Sequence, residues 1–423
     1  MRPILHTAGA EERVPVRAVI VPTRHICLFH TEGIVTCGHG LGCVQPNNME
    51  SAYPDPFQWV WTNTTLTEGK PDMLYLGLDV HSKWMTVKGF DPSTGELVET
   101  IRLPNDADSL DETFGSLRGP LFGVMESGTN SWAVYRTLEP YFETLIVVDP
   151  ATVWGREGRR GAKTDRRDAF KLATKMHRGE LEPLYVPDVA TQDLRALGRG
   201  KINASRHVTK LVNELGALLR SWGIVVHCSL LSKEGQQLIE ASKPKLPEHS
   251  QKVLELWLQM LKTAQEAETE LERAIKAETA KDEDCQRLMS IPGVGPLTAL
   301  VVRAEIGDIN RFASASQLVC YCGLSPTVSQ SADSIYYGKL NRFCNRFLKY
   351  VLVLRAQNMA RSKSDNPMRQ TYWRVLLRHK TNHAKIAVAR QLVRIIYSLL
   401  KKKQCWDASR ITTGMRYRAP AAA

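Results

Sequence analysis

The sequence predicts an α/β domain followed by a long helical segment and a mainly α C-terminal domain. Three observations carry this reading: three short β-rich runs precede the first helical pattern, period-3.6 hydrophobicity takes over after about residue 187, and positive charge gathers after residue 330. At 423 residues the chain is too long for one ordinary core, so two or three domains are expected. A hydrophobic content of 43% with 24% charged residues is that of a folded globular chain.

Residues 1–72 show no sustained periodicity and hold Pro, Gly and Asn clusters such as "CGHGLGCVQPNN". They are expected to be a poorly ordered extension, and Met73, immediately before the first strand pattern, offers an alternative start. The apolar run "AVIVPTRHICLF" is broken by Pro22, Arg24 and His25, far short of a membrane span, and no secretory signal opens the chain. Nine cysteines, none in a C-x-x-C pair, indicate neither a zinc site nor a disulfide framework and fit a reducing cytoplasm.

From Leu74 the runs "LYLGLDVH", "KWMTVKGFD" and "ELVETIRLP" read as a three-stranded meander, separated by turn signals such as "DPSTGE". A polar helix over about 106–118, the strand "PLFGVMES", the helix "NSWAVYRTLEPY", the strand "ETLIVVDP" and a helix from Asp165 follow. A meander followed by alternating helix and strand is the order of an RNase H-like α/β domain, here residues 73–186. Residues 187–285 read as a helical hairpin or coiled coil, with Leu211, Leu215 and Leu218 on one stripe. Leu254, Trp257, Leu261, Ala264, Leu271 and Ile275 form a second stripe, interrupted by Glu268. This segment could serve as an intramolecular spacer or as a contact between copies, a dimer or a tetramer.

Residues 286–400 open with "IPGVGPLTA", the form of a helix-hairpin-helix. The backbone at Gly293 and Gly295 could approach phosphates there, though a plain helix connector would read the same. From Ser331 to the end, 20 Lys and Arg stand against Asp333, Asp365 and Asp407, a block of +17 within a chain of net +12. Aromatic and aliphatic residues are interleaved in it ("FLKYVLVLRAQ", "TYWRVLLRHK"), so it reads as folded helices with a basic face ending in a basic tail, 401–423. Nucleic acid is the partner such a block implies, because each neutralised phosphate releases counterions. Lys339, Arg342 and Arg346 are candidate contacts.

Four acids mark the candidate active site. Asp79 lies inside an apolar strand, where a carboxylate is costly unless paired or metal-bound. Glu126 ends the fourth strand at the carboxyl edge of the sheet, where ligands collect in open α/β sheets. Asp165 and Asp168, in "KTDRRDAFKLA", are one helical turn apart and can aim at one point. Alone they would read as a solvated first turn favoured by the helix dipole. Oxygen-only clusters suit Mg²⁺, with Mn²⁺ as the alternative ion, and two such ions serve phosphodiester transfer. Lys163, Arg166 and Arg167 would then face a DNA backbone or offset the acids.

The blocks "LGLDVHSK", "VMESGTNSW" and "KTDRRDA" resemble the three motifs of the DEDD transposases of the insertion-sequence 110 family, whose catalytic domain is similar to RuvC resolvase. "IPGVGPLTA" and "YCGLSPTVSQSADSIYYGKLNRFCNRFLKYVLVLRA" resemble that family's C-terminal transposase domain, so the likeness spans about residues 73–400. The resemblance implies that Asp79, Glu126, Asp165 and Asp168 bind metal, and that a serine attacks DNA to give a phosphoserine linkage and a free 3′-hydroxyl. The family's context is a proline followed five residues on by Ser-Gly. Here Pro326 is followed at that distance by Ser331, with Ala332 where the family has glycine, and Ser329 and Ser334 remain alternatives. The resemblance further implies a structured noncoding RNA that pairs with element ends and target DNA, and action at the nucleoid of a prokaryotic cell.

Three other readings compete. A junction resolvase would share the four acids and hydrolyse with water, but would not need residues 189–400. An actin-like ATPase also begins with a "GLD" strand, yet no Gly-rich phosphate loop follows. A non-enzymatic DNA-binding protein would leave Asp79 without a purpose.

Overall fold

The computed structural model describes residues 73–117, 119–153, 165–331, 334–361 and 367–407, together with a two-residue antiparallel pairing of Ala18–Val19 with Cys27–Leu28. The rest of the N-terminal extension, Lys163, and the end of the basic tail lie outside the described residues.

Five strands form the first domain's sheet: β1 (Leu74–Val80), β2 (Trp84–Phe90), β3 (Leu97–Pro104), β4 (Leu121–Glu126) and β5 (Thr144–Val148). β1 pairs antiparallel with β2 and β2 with β3, whereas β4 lies parallel to β1 and β5 parallel to β4. The spatial order β3-β2-β1-β4-β5 is a mixed sheet that fits the RNase H-like arrangement. The parallel strands need crossovers: helix α1 (Ala107–Ser116) leads into β4, and helix α2 (Ser131–Leu138) links β4 to β5. α1 starts where the Asp106 side chain accepts the backbone N–H of Ser109, an N-cap bond.

Alternation assigns the two faces of the sheet. Leu74, Leu76, Leu78, Leu121, Met125 and Val147 pack with Leu110, Phe114, Val134 and Leu138 of α1 and α2. The intervening residues turn to the other face, where Val124 and Val148 meet Leu172 of a helix over Asp165–His177. That helix is α4, the one-turn helix α3 (Pro150–Val153) preceding it. On this face Tyr75 stacks on Phe122, with ring centroids 5.1 Å apart, and meets His177 of α4 edge-on at 4.8 Å.

Helices α5 (Val189–Ser221) and α7 (Glu248–Lys281), joined through α6 (Lys233–Ser242), form an intramolecular antiparallel hairpin. Leu211, Leu215 and Leu219 of α5 pack with Leu254 and Leu261 of α7, while Leu218 is only partly buried. The interruption at Glu268 has a structural cause: its carboxylate accepts hydrogen bonds from Lys201 Nζ and Ser205 Oγ of α5, both at 2.6 Å. The paired charge replaces a hydrophobic layer and fixes the register of the two helices.

The last domain comprises α8 (Glu283–Met289), α9 (Pro296–Ile306), α10 (Ala315–Tyr321), a two-stranded ribbon β6 (Pro326–Ser331) and β7 (Ser334–Leu340), then α11 (Arg346–Arg361), α12 (Pro367–Leu376) and α13 (Thr381–Lys402). α9 is its central helix, buried from Thr298 to Val302 and again at Ala304–Ile306. The basic segment after residue 400 begins as part of this domain: Lys403 pairs with Asp284 at 3.0 Å, and the Trp406 N–H donates to Ser290 Oγ at 2.8 Å.

α9 also carries the joint between the last domain and the long hairpin. Glu305, 1% exposed, accepts from Arg199 Nε at 2.6 Å and Nη2 at 2.9 Å, and from Asn345 Nδ2 at 2.6 Å. Arg195 reaches the same carboxylate at 3.5 Å and donates to the Ala304 carbonyl at 2.9 Å. α5 can lie this close because Gly198 faces Val301: an added Cβ would stand 2.9 Å from its Cγ2. Glu305→Ala would strand buried guanidinium charge. The variant is expected to lose about 3–5 kcal/mol of stability, read as an earlier unfolding midpoint in a urea titration followed by circular dichroism.

Candidate functional site

The site forms where β1 and β4 end and α4 begins. On β1 the residues facing α4 are Tyr75, Gly77 and Asp79, set by the two-residue repeat of the strand. Gly77 is the point of closest approach, because a Cβ there would lie 1.8 Å from the Ala169 carbonyl oxygen. With no side chain at Gly77, α4 rests directly on the strand, and its first turn projects over the end of β1. Asp165 of that turn thereby reaches the neighbourhood of Asp79.

A third group completes this contact. His81 follows β1 by one residue, and its Nε2 lies 3.2 Å from Asp165 Oδ2 and 3.5 Å from Asp79 Oδ2. The three donor atoms all lie within 4.8 Å of one another. Nε2 is inaccessible to solvent and satisfies the geometry of a hydrogen bond to neither oxygen, although both are in ion-pair range. The main chain at His81 is pinned by three bonds. Its carbonyl accepts from Asn105 Nδ2 at 2.5 Å and Asn130 Nδ2 at 2.9 Å, and its N–H donates to the Trp84 carbonyl at 2.9 Å.

Glu126 and Asp168 lie outside that close group. Glu126 ends β4, half-buried; the parallel register of Leu78 with Met125 carries it level with Asp79 on the neighbouring strand. Asp168 follows Asp165 by one helical turn, also half-buried. Arg166 and Arg167 are exposed on the outer side of α4. Lys88, opposite Gly77 on β2, places its ammonium 5.8 Å from the Phe170 ring centroid; burial, and then the Arg166 guanidinium, hold its pKa below the ordinary lysine value. The sequence reading passed over both His81 and Lys88. For His81 the available signal was Asp-x-His at a strand end, a spacing that sends both side chains to one side.

Carboxylates and an imidazole converging from a strand and a helix are the donor chemistry of a divalent cation site. The buried, bond-free Nε2 between two carboxylate oxygens supports that fit, since a buried polar atom without a partner calls for one.

The C-terminal candidates occupy a separate surface. Ser331 ends β6 and is paired in register with Ser334 at the start of β7, while Ser329 pairs with Tyr336. Exposed Tyr336, Tyr337 and Phe343 stand on and beside this ribbon, together with exposed Lys339, Arg342 and Arg346. An open groove of about 620 Å³ runs along the base of α11, lined by Arg342, Arg346, Lys349, Tyr350 and Leu354. In "IPGVGP", Gly293 takes φ +84°, a conformation that strains L side chains, and the turn joins α8 to α9. Gly295 caps α9 with open space where a Cβ would be. Cys285, beside this turn, is no competing nucleophile: burial pushes its thiol up to about 12.

Comparison with known proteins gives concordant results. Residues 76–224 match a family described as "Transposase", of the IS110 DEDD type, and residues 285–373 match the "Transposase IS116/IS110/IS902 family". The transposase for insertion sequence element IS1111A of Coxiella burnetii is 28% identical over 341 residues, 79% of this chain and 92% of that protein. A protein of insertion element IS110 from Streptomyces coelicolor is 26% identical, covering 82% of this chain and 98% of its own length. The transposase for element IS1328 of Yersinia enterocolitica is 24% identical over 66% of this chain and 83% of its own.

Gly77→Ala must push α4 from β1 and should lower stability by about 1–3 kcal/mol, seen as a lower thermal midpoint. Separately, Mg²⁺ or Mn²⁺ should raise the midpoint of the unaltered protein. Asp79→Asn is expected to abolish that metal-induced rise while leaving the metal-free midpoint near that of the parent.

Proposed function

Because the chain belongs to the IS110 family of DEDD transposases, enzymes that cleave and rejoin DNA, we propose that it recombines an insertion sequence through a metal-assisted serine mechanism. The observation that carries the reading is the convergence of Asp79 and Asp165 at the carboxyl end of β1. Asp79, Glu126, Asp165 and Asp168 hold the divalent cation, Mg²⁺ or Mn²⁺. When bound, it supplies Lewis-acid activation of the attacking oxygen and charge stabilisation on the leaving one.

Ser331 is the nucleophile in this scheme. Its oxygen forms a bond to the scissile phosphorus, its proton passes to solvent or to a carboxylate of the cluster, and the bond to the 3′ oxygen breaks, that oxygen taking up a proton from solvent to leave as a free 3′-hydroxyl. The phosphoserine linkage keeps the phosphodiester energy, so the reverse attack by a 3′-hydroxyl rejoins strands without an external nucleotide. A loop-end position at the tip of a ribbon suits a serine that must meet DNA held elsewhere, and Ser329 and Ser334 are close enough in register to be tested beside it. The acids and Ser331 belong to different domains, so cleavage requires DNA to bring the two surfaces together, within one chain or between copies. Val253, Leu256 and Met260, exposed at i, i+3 and i+7 along α7, are a fitting stripe for such an oligomer.

The nucleic-acid surface is assigned to the ribbon and α11, with Lys339, Arg342 and Arg346 on phosphates and Tyr336, Tyr337 and Phe343 as stacking faces. The glycine turn at Gly293 and Gly295 acts as a phosphate-contacting helix-hairpin-helix, and Arg166 and Arg167 contact DNA near the acids. Sequence choice is delegated to a structured RNA. Among the described residues no helix is long and apolar enough to cross a membrane, and the enzyme acts on cytoplasmic, nucleoid DNA.

The test is a covalent-adduct assay with full-length protein, junction and target DNA, the element's flanking transcript and Mg²⁺. A denaturation-resistant protein–DNA adduct is expected, lost in both Ser331→Ala and Asp79→Ala. Cleavage that persists in Ser331→Ala without any adduct would make the enzyme a hydrolytic resolvase. A second prediction concerns charge: replacing Lys339, Arg342 and Arg346 together by Ala should weaken binding about equally across DNA and RNA sequences. It should also flatten the dependence of log K on log salt by about 3, read by filter binding from 50 to 200 mM salt.

A further inference from the structure

We propose that His81 is a nitrogen ligand of the metal centre and that it gives the site a preference for Mn²⁺ over Mg²⁺. The inference rests on the reading of Asp79 and Asp165 as metal ligands, and adds to it a donor that none of the family's four acids supplies. Its first support is distance. Neighbouring donors around one octahedral ion stand about 3 Å apart, and Nε2 lies 3.2 Å from Asp165 Oδ2 and 3.5 Å from Asp79 Oδ2. The second is the state of the nitrogen itself. It is shut off from solvent and makes no hydrogen bond, while lying in ion-pair range of both carboxylates.

The third support is that the main chain carrying the ring is held by other elements. Asn105, just after β3, and Asn130, at the start of α2, both donate to the His81 carbonyl, and the Trp84 carbonyl takes its N–H. The Trp84 ring lies beside the imidazole, with centroids 6.2 Å apart, and is itself covered by the Arg102 guanidinium at 4.2 Å. β2, the residue after β3 and the start of α2 thus fix the backbone from which the half-buried His81 side chain projects. A fixed backbone narrows the positions that a metal-ligating ring can take.

The chemical consequence follows from donor type. Mg²⁺ takes oxygen donors and water almost exclusively, whereas first-row transition ions accept imidazole nitrogen. A carboxylate pair with one imidazole is therefore a mixed site, and Mn²⁺ gains more from the third donor than Mg²⁺ does.

Binding of each ion to the full-length protein, measured by calorimetry, together with pulsed electron paramagnetic resonance of the Mn²⁺-loaded protein, tests this without recourse to activity. Unaltered protein should show modulation from a directly bound nitrogen. His81→Ala and His81→Asn should lose it, with Mn²⁺ affinity down about tenfold or more and Mg²⁺ affinity changed less; circular dichroism verifies that both variants are folded. Nitrogen modulation absent from the parent, or persisting in His81→Ala, would overturn the role of His81. If Asp79→Asn abolishes binding while both His81 variants bind like the parent, the carboxylate centre stands and the nitrogen ligand falls. If Asp79→Asn binds both ions like the parent, the metal centre itself is misplaced and the inference fails with it.

Discussion

The absence of a side chain at Gly77 is the constraint on which the candidate metal site depends. A helix crossing a sheet ordinarily stands off by the thickness of two side-chain layers, about 10 Å between axis and sheet. At Gly77 one layer is missing, and the Ala169 carbonyl occupies the space a Cβ would need. The helix is lowered onto β1 at a point two residues before Asp79 and four residues after Asp165. Both carboxylates are then on the same side of the sheet and near its carboxyl end, and His81 closes the gap between them. Aromatic residues hold the far end of the same interface, with Tyr75, Phe90 and Phe122 on the strands and Phe170 and His177 on the helix.

A second constraint of similar kind organises the rest of the chain. α5 runs 33 residues from the first domain past α9 to the far end of the hairpin, and it is clamped where it crosses α9. The clamp combines close backbone approach at Gly198 with a buried carboxylate at Glu305 that takes two arginines from α5 and Asn345 from the start of α11. Tyr185, in the segment leading into α5, packs against Arg311, whose guanidinium also lies over Phe312 and Tyr321. Charge with aromatic cover therefore joins elements that a hydrophobic core alone would leave free to slide, because hydrogen-bond geometry admits one register only.

The strands of the first domain were legible because each obeys a two-residue repeat or is a short apolar run bounded by turn residues. The long helices were legible because Leu211, Leu215, Leu254 and Leu261 recur at helical spacing. The partner of Glu268 was not legible: Lys201 and Ser205 lie more than 60 residues away, and nothing local marks them. The expected stripe of Leu211, Leu215 and Leu218 ends one residue early, since the rotation of α5 buries Leu219 fully and Leu218 in part. The pairing of "PTVSQS" with "SIYYGKL" was not legible, because polar serines supply no apolar alternation to mark a strand.

At the site, local sequence determined that Asp79 would sit in a strand and that Asp165 and Asp168 would share a helix face. Motif order determined the family. Those are properties of neighbours within a turn or two, where spacing fixes direction. Only the tertiary structure decided that Asp165 meets Asp79 through a glycine contact, that His81 stands between them, and that Glu126 and Asp168 lie outside this closest group. These are distances between segments tens of residues apart in the chain. They depend on how far a helix stands from a sheet, a quantity set by the side chains that separate the two and written in no single stretch of sequence.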